Sequence, residues 1–144
     1  MKLTRSAYEK LFFCPPVPPE TGGILGEMNG VIVEVCHDPA PQSLKRAEYC
    51  PDVTFLNTVI SCWNRAGIHF AGIFHTHLPG QTALSASDRC YINEIFRVLP
   101  DSIDKLFFPV VLPGTAMFSY RACRKKGSVV ICEDKILIEN KENE

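Results

Sequence analysis

The sequence predicts an α/β chain, a mixed β-sheet flanked by helices. Three observations lead there. Two stretches place apolar residues at helical spacing: Phe55, Leu56, Val59, Ile60 and Trp63, then Tyr91, Ile92, Ile95, Phe96 and Leu99. Short β-rich apolar runs stand before, between and after them. No repeat and no linker divides the 144 residues, so one domain with one core over 1–144 is expected.

In chain order, Ser6 to Phe13 reads as a short helix that Pro15 and Pro16 end. Glu20 to Glu27 reads as a strand entered through Gly22 and Gly23, small residues that allow close backbone approach. Asn29-Gly30 is a strong hairpin signal, and Val31 to Cys36 returns as the second strand. A proline-marked loop covers 37–42, and Lys45 to Tyr49 reads as a short strand or a mobile segment. Asp52 is a fair N-cap for the first long helix, and Gly67 a natural stop for it.

The run from Gly67 to Phe74 reads as a buried strand. Pro79-Gly80 marks a loop, after which Ser85 to Leu99 forms the second long helix, stopped by Pro100. Leu106 to Leu112, Ala116 to Ala122 and Val129 to Cys132 read as three more strands, with Pro113-Gly114 turning the first into the second. The acidic stretch Glu133 to Glu144 reads as a solvated or mobile end.

Composition excludes several classes. A formal net charge of −1 argues against a nucleic-acid partner. No apolar run approaches the roughly 20 residues of a membrane helix, so no membrane partner is expected. Met1 to Ser6 is basic but lacks an apolar signal core. The seven cysteines are odd in number and contain no Cys-x-x-Cys pair, which argues against a disulfide framework and a zinc ribbon. Most are expected to be small buried hydrophobes in a reducing cytoplasm.

The chemistry concentrates in His75-Thr76-His77 and, after seven residues, Ser85-Ala86-Ser87-Asp88. Strand side chains alternate faces, so His75 and His77 point the same way if the strand continues through them. Asp88 falls in the first helical turn, three residues from Ser85 and on its face. Two imidazoles and a carboxylate suit Zn²⁺, and a set of three leaves the fourth position open, as catalytic zinc requires. Alone, His-x-His is most often incidental, and Ser-x-x-Asp is a capping box. The cap and the ligand set are compatible, because a capped turn is also rigid. Cys90, two residues beyond Asp88, falls on another face of the helix. Glu20 is the candidate general base; the plain alternative is a solvated carboxylate at a loop-to-strand junction.

Glu20-Thr21-Gly22-Gly23-Ile24-Leu25, His75-Thr76-His77 and Ser85-x-x-Asp88 together resemble the JAMM (MPN-plus) metallopeptidases over about residues 20 to 120. The resemblance implies a curved sheet held between helices and one Zn²⁺ per chain bound by His75, His77 and Asp88. It implies Glu20 as general base and then general acid, and Ser85 as oxyanion donor. It implies cleavage after the C-terminal Gly of ubiquitin or a ubiquitin-like protein, as in compact bacterial members that stand beside antiphage conjugation systems. Other relatives release amino acids from sulfur-carrier proteins, and non-catalytic MPN-type scaffolds lose metal ligands. The family's pattern carries one more residue between Leu25 and Gly26, and Pro where Leu84 stands. A second zinc would need partners for His37 or His69, and neither has a ligand cluster around it in the sequence. Ala40 to Asp52 is the candidate sheet edge for a substrate tail. The oligomeric state is left open.

Overall fold

The computed structural model describes residues 1–15, 21–38, 53–78 and 80–140. Its strands are β1 (Lys2–Thr4), β2 (Gly22–Met28), β3 (Val31–His37), β4 (His69–Thr76), β5 (Lys105–Phe107), β6 (Val110–Leu112), β7 (Ala116–Lys125), β8 (Ser128–Asp134) and β9 (Leu137–Glu139). Its helices are α1 (Arg5–Phe12), α2 (Val53–Arg65) and α3 (Ala86–Val98). All nine strands join one mixed sheet. The central strand is β4: β2 pairs antiparallel along one edge, and β5 and β6 pair parallel along the other.

Where a single core was expected, the sheet divides the buried residues into two clusters, one on each face. Ile24, Ile73, Phe108 and Val110 pack with Leu56 of α2 and with Ile92 and Phe96 of α3. On the opposite face Leu25, Phe74 and Val111 pack with Ala7 and Leu11 of α1. The alternation of Ile73 and Phe74 between the two cores puts His75 on the α2/α3 face.

The local signals act as expected at several points. Asn29 and Gly30 both have positive φ, 54° and 80°, the conformation of a two-residue hairpin turn. Gly67 ends α2 at φ 76°. At Gly23 a Cβ would lie 2.0 Å from the Cys36 carbonyl oxygen, so the β2–β3 approach admits only glycine there. Both neighbours of β2 carry one extra residue, Ala71 of β4 opposite Leu25-Gly26 and Val33 of β3 opposite Gly26-Glu27, so the sheet is bulged on either side of Gly26.

Four expectations need correction. Leu106 to Leu112 is two strands, not one: Pro109 has no N–H for the ladder, and Phe108 turns its amide to the Tyr120 carbonyl. The acidic end is ordered through Glu139, because β8 pairs with β7 and β9 pairs parallel with β1. The strand β1, before the first helix, was not expected. Of the six described cysteines only Cys14 is buried; Cys62, Cys90 and Cys132 are exposed, being on outward faces of α2, α3 and the edge strand β8. Cys50, Asp52 and the 40–52 segment lie outside the described residues, as does Glu20. Among the described residues no helix is long and apolar enough to cross a membrane.

Candidate metal centre

The strand β4 ends at Thr76, yet its backbone continues to pair: the His75 amide donates to the Pro109 carbonyl (3.2 Å) and the His77 amide to the Val111 carbonyl (2.9 Å). The histidines are therefore held in extended register although His77 falls just outside the strand. Between them, Thr76 is locked into the core. Its amide donates to the Thr21 carbonyl (2.8 Å) and its Oγ1 accepts from the Thr21 amide (2.8 Å). The start of β2 is thus tied to the residue between the two imidazoles. Glu20 precedes Thr21 in the chain.

The two imidazole Nε2 atoms lie 2.7 Å apart. Asp88 completes the triangle, with Oδ1 3.3 Å from His75 Nε2 and Oδ2 3.3 Å from His77 Nε2. The three residues' ligand atoms all fall within 4.8 Å of one another, and both histidines are buried. Zinc–ligand bonds of about 2.0–2.1 Å give a coordination tetrahedron with edges of about 3.3 Å. The two histidine–carboxylate separations match that edge, each to a different carboxylate oxygen, whereas the 2.7 Å between the imidazole nitrogens is a hydrogen-bond distance that an ion would open; the donor set suits a divalent ion in its chemistry and its convergence.

Neighbouring groups fix the donors. Nδ1 of His77 donates to the Gln81 carbonyl at 3.0 Å, which fixes the ring with Nε2 turned toward His75 and Asp88. The loop that offers this carbonyl is pinned in turn, since the Tyr120 hydroxyl of β7 donates to the Thr82 carbonyl at 2.9 Å. Ser85 is the N-cap of α3 and forms a full capping box with Asp88. Its amide donates to Asp88 Oδ2 (2.8 Å), and its Oγ accepts from the Asp88 amide (3.1 Å). The Ser85 hydroxyl proton is left to donate outward beside the cluster.

Burial alone would push the Asp88 carboxyl up. Hydrogen bonds from His75 and His77, the charge of His75 and the Ser85 amide outweigh it and hold the carboxyl well below the usual carboxylate range. The carboxylate is therefore ionised and ready to ligate at any physiological pH. The cap and the candidate ligand are the same side chain, as the spacing allows.

The structure thus brings His75, His77, Ser85 and Asp88 together. Among the described residues no second cluster of this kind exists. His37 pairs with Gly23 and its ring lies 6.4 Å from that of Phe74, on the α1 face, away from His75. Sequence reasoning missed the Gln81 carbonyl, the Thr21–Thr76 clasp and Tyr120. Backbone carbonyls carry no side-chain signal, and Tyr120 stands 38 residues from its partner.

No protein-family model matches the chain, and no curated protein matches it. Solved structures do. The solution structure of a Desulfitobacterium hafniense protein is 21% identical, with 97% of this chain and 93% of that one covered at a TM-score of 0.66. A Salinibacter ruber protein, also solved in solution, is 14% identical, with 99% and 94% covered at 0.59. A crystal structure of a JAB1/MPN domain protein from Archaeoglobus fulgidus is 15% identical, with 96% and 100% covered at 0.49. At such identities the likeness to the first two is one of fold. This chain folds as a mixed α/β sheet between three helices, with a His75-His77-Asp88 cluster able to hold a metal ion.

Proposed function

We propose that this chain is a zinc-dependent JAMM-type metallopeptidase that cleaves after the C-terminal Gly of ubiquitin or a ubiquitin-like protein. The observation that supports it most is the convergence of His75 Nε2, His77 Nε2 and the Asp88 carboxylate on one point from a strand end and a helix start. Zn²⁺ held there would polarise a scissile carbonyl and lower the pKa of water at the open position to about 7. Glu20 would take the proton from that water and return it to the departing amine. The Ser85 hydroxyl would donate to the carbonyl oxygen as negative charge develops on it, a contribution typically worth about 3–4 kcal/mol of barrier. The carbonyl of Gln81 would keep His77 in the ligating tautomer throughout.

The tail specificity is what the resemblance of Glu20, His75-Thr76-His77 and Ser85-x-x-Asp88 to the JAMM metallopeptidases implies. A glycine-ended tail is narrow and can lie extended beside a strand. The test is hydrolysis of a ubiquitin-like C-terminal amide by zinc-loaded protein, with metal content measured alongside. Turnover that chelator removes and Zn²⁺ restores, and that Glu20→Gln lacks while still binding zinc, is the expected result. Full activity of Glu20→Gln would overturn the base assignment. Zinc binding with no cleavage of any such amide would overturn the substrate.

A further inference from the structure

On the same sheet face as the metal cluster, but toward the other end of β4, α2 and α3 leave a cavity of about 670 Å³ between them. Ile24 and Ile73 form part of its floor, Leu56 and Ile60 line it from α2, and Ile95 and Leu99 line it from α3. It opens to solvent on one side, and its volume is in the range of ligand pockets. The cavity runs beside β4 from Ile73 to His69, about 13 Å at the strand rise per residue. Its length and its aliphatic walls suit an elongated apolar group.

Polar groups line it along the helices, where Asn57 and Tyr91 stand, and the charged ones gather at the sheet end away from the histidines. Glu27 and Asp104 line that end with His69 and one lysine, Lys105, whose ammonium lies 5.2 Å from the centre of the Phe107 ring. Charges of both signs meet at that end, so neither an anion nor a cation finds an unopposed partner there. A neutral ligand with a hydrogen-bonding end is the best match. Ile73 precedes His75 by two residues, so the cavity adjoins the metal cluster without sharing a donor with it.

We propose that the cavity between α2, α3 and β4 is a binding site for an uncharged, elongated apolar ligand. Occupancy needs no metal ion, so this goes beyond the peptidase reading and stands without it.

The neutral fluorophore N-phenyl-1-naphthylamine, titrated into the full chain, should brighten saturably with one dye per chain. Octanamide should displace it at lower concentration than octanoate or octylammonium. Ile60→Trp and Ile95→Trp fill the space and should weaken binding by about tenfold or more. Val98→Asp, on the exposed side of α3, should leave it unchanged. Should the filling variants lose their cooperative melt, NMR on the unmodified chain decides: octanamide should shift the methyl signals of Leu56, Ile60, Ile73, Ile95 and Leu99. No saturable binding, undiminished binding in folded filling variants, preference for a charged octyl compound, or shifts located elsewhere would each overturn the proposal.

Discussion

Asp88 and Ser85 bond each other in both directions across the first turn of α3, amide to carboxylate at 2.8 Å and amide to hydroxyl at 3.1 Å. The same carboxylate faces both imidazoles at 3.3 Å. The helix cap and the candidate metal site therefore share one side chain. Ser85→Ala removes the acceptor for the Asp88 amide and should cost about 1 kcal/mol of stability, read by urea denaturation. If the peptidase reading holds, it should also slow turnover by about 10²–10³-fold with zinc retained. Ser85→Thr keeps the cap and should recover the stability.

Removing the negative charge at Asp88 tests the ligand role directly. Asp88→Asn preserves shape, and its zinc affinity should fall by more than the roughly 10- to 100-fold typical of losing an outer-shell partner. Competition with a chromogenic chelator measures it. Zn²⁺ at about 100 times its Kd should stabilise the unmodified chain by about 2.7 kcal/mol, seen as a raised melting temperature that EDTA reverses. His75→Ala should show no such rise.

Tyr120 holds the loop that orients His77. Tyr120→Phe deletes only the hydroxyl and leaves the Thr82 carbonyl without this donor, a change of about 1 kcal/mol in stability. Calorimetry should show that loss. Zinc should also dissociate faster from the variant, because the Gln81 carbonyl is less firmly placed, and stopped-flow transfer to a chelator checks it.

Cys14 gives the chain an alkaline limit. Burial pushes its thiol up from 9.0 to about 11, against a smaller opposing backbone hydrogen bond. Between those values the unfolded chain loses a proton that the folded chain keeps, so stability falls as pH rises through the window. The full effect is at most about 2–3 kcal/mol. Cys14→Ala should flatten the decline in denaturation measured from pH 8.5 to 11. Iodoacetamide at pH 8 should modify Cys62, Cys90 and Cys132 well before Cys14.

Much of this was legible in the sequence where local chemistry decides. The Asn29-Gly30 turn, the Gly67 stop and the Ser85 cap each depend on backbone preferences within a few residues. The histidine pair and Asp88 were legible because strand and helix periods place them without distant information. What escaped depends on distant partners. Three-residue strands such as β1 and β9 have too few residues for a pattern and exist because Lys2 meets Leu137 and Leu3 meets Ile138. The break in Leu106 to Leu112 was signalled by Pro109, whereas the partner of the Phe108 amide, Tyr120, was not visible locally. The exposed cysteines show that an apolar residue type on an amphipathic element can still fall on its wet side.

The central position of β4 sets how an ion would leave. Strands bond that strand on both edges, whereas α3 fully buries only Ile92 and Phe96. Opening the histidine pair means tearing the middle of the sheet, while releasing Asp88 needs only the unravelling of one helical turn. Escape should therefore begin from the carboxylate side. Deuterium uptake at the first amides of α3 would then keep pace with zinc exchange, long before the amides of His75 and His77 give up their protons.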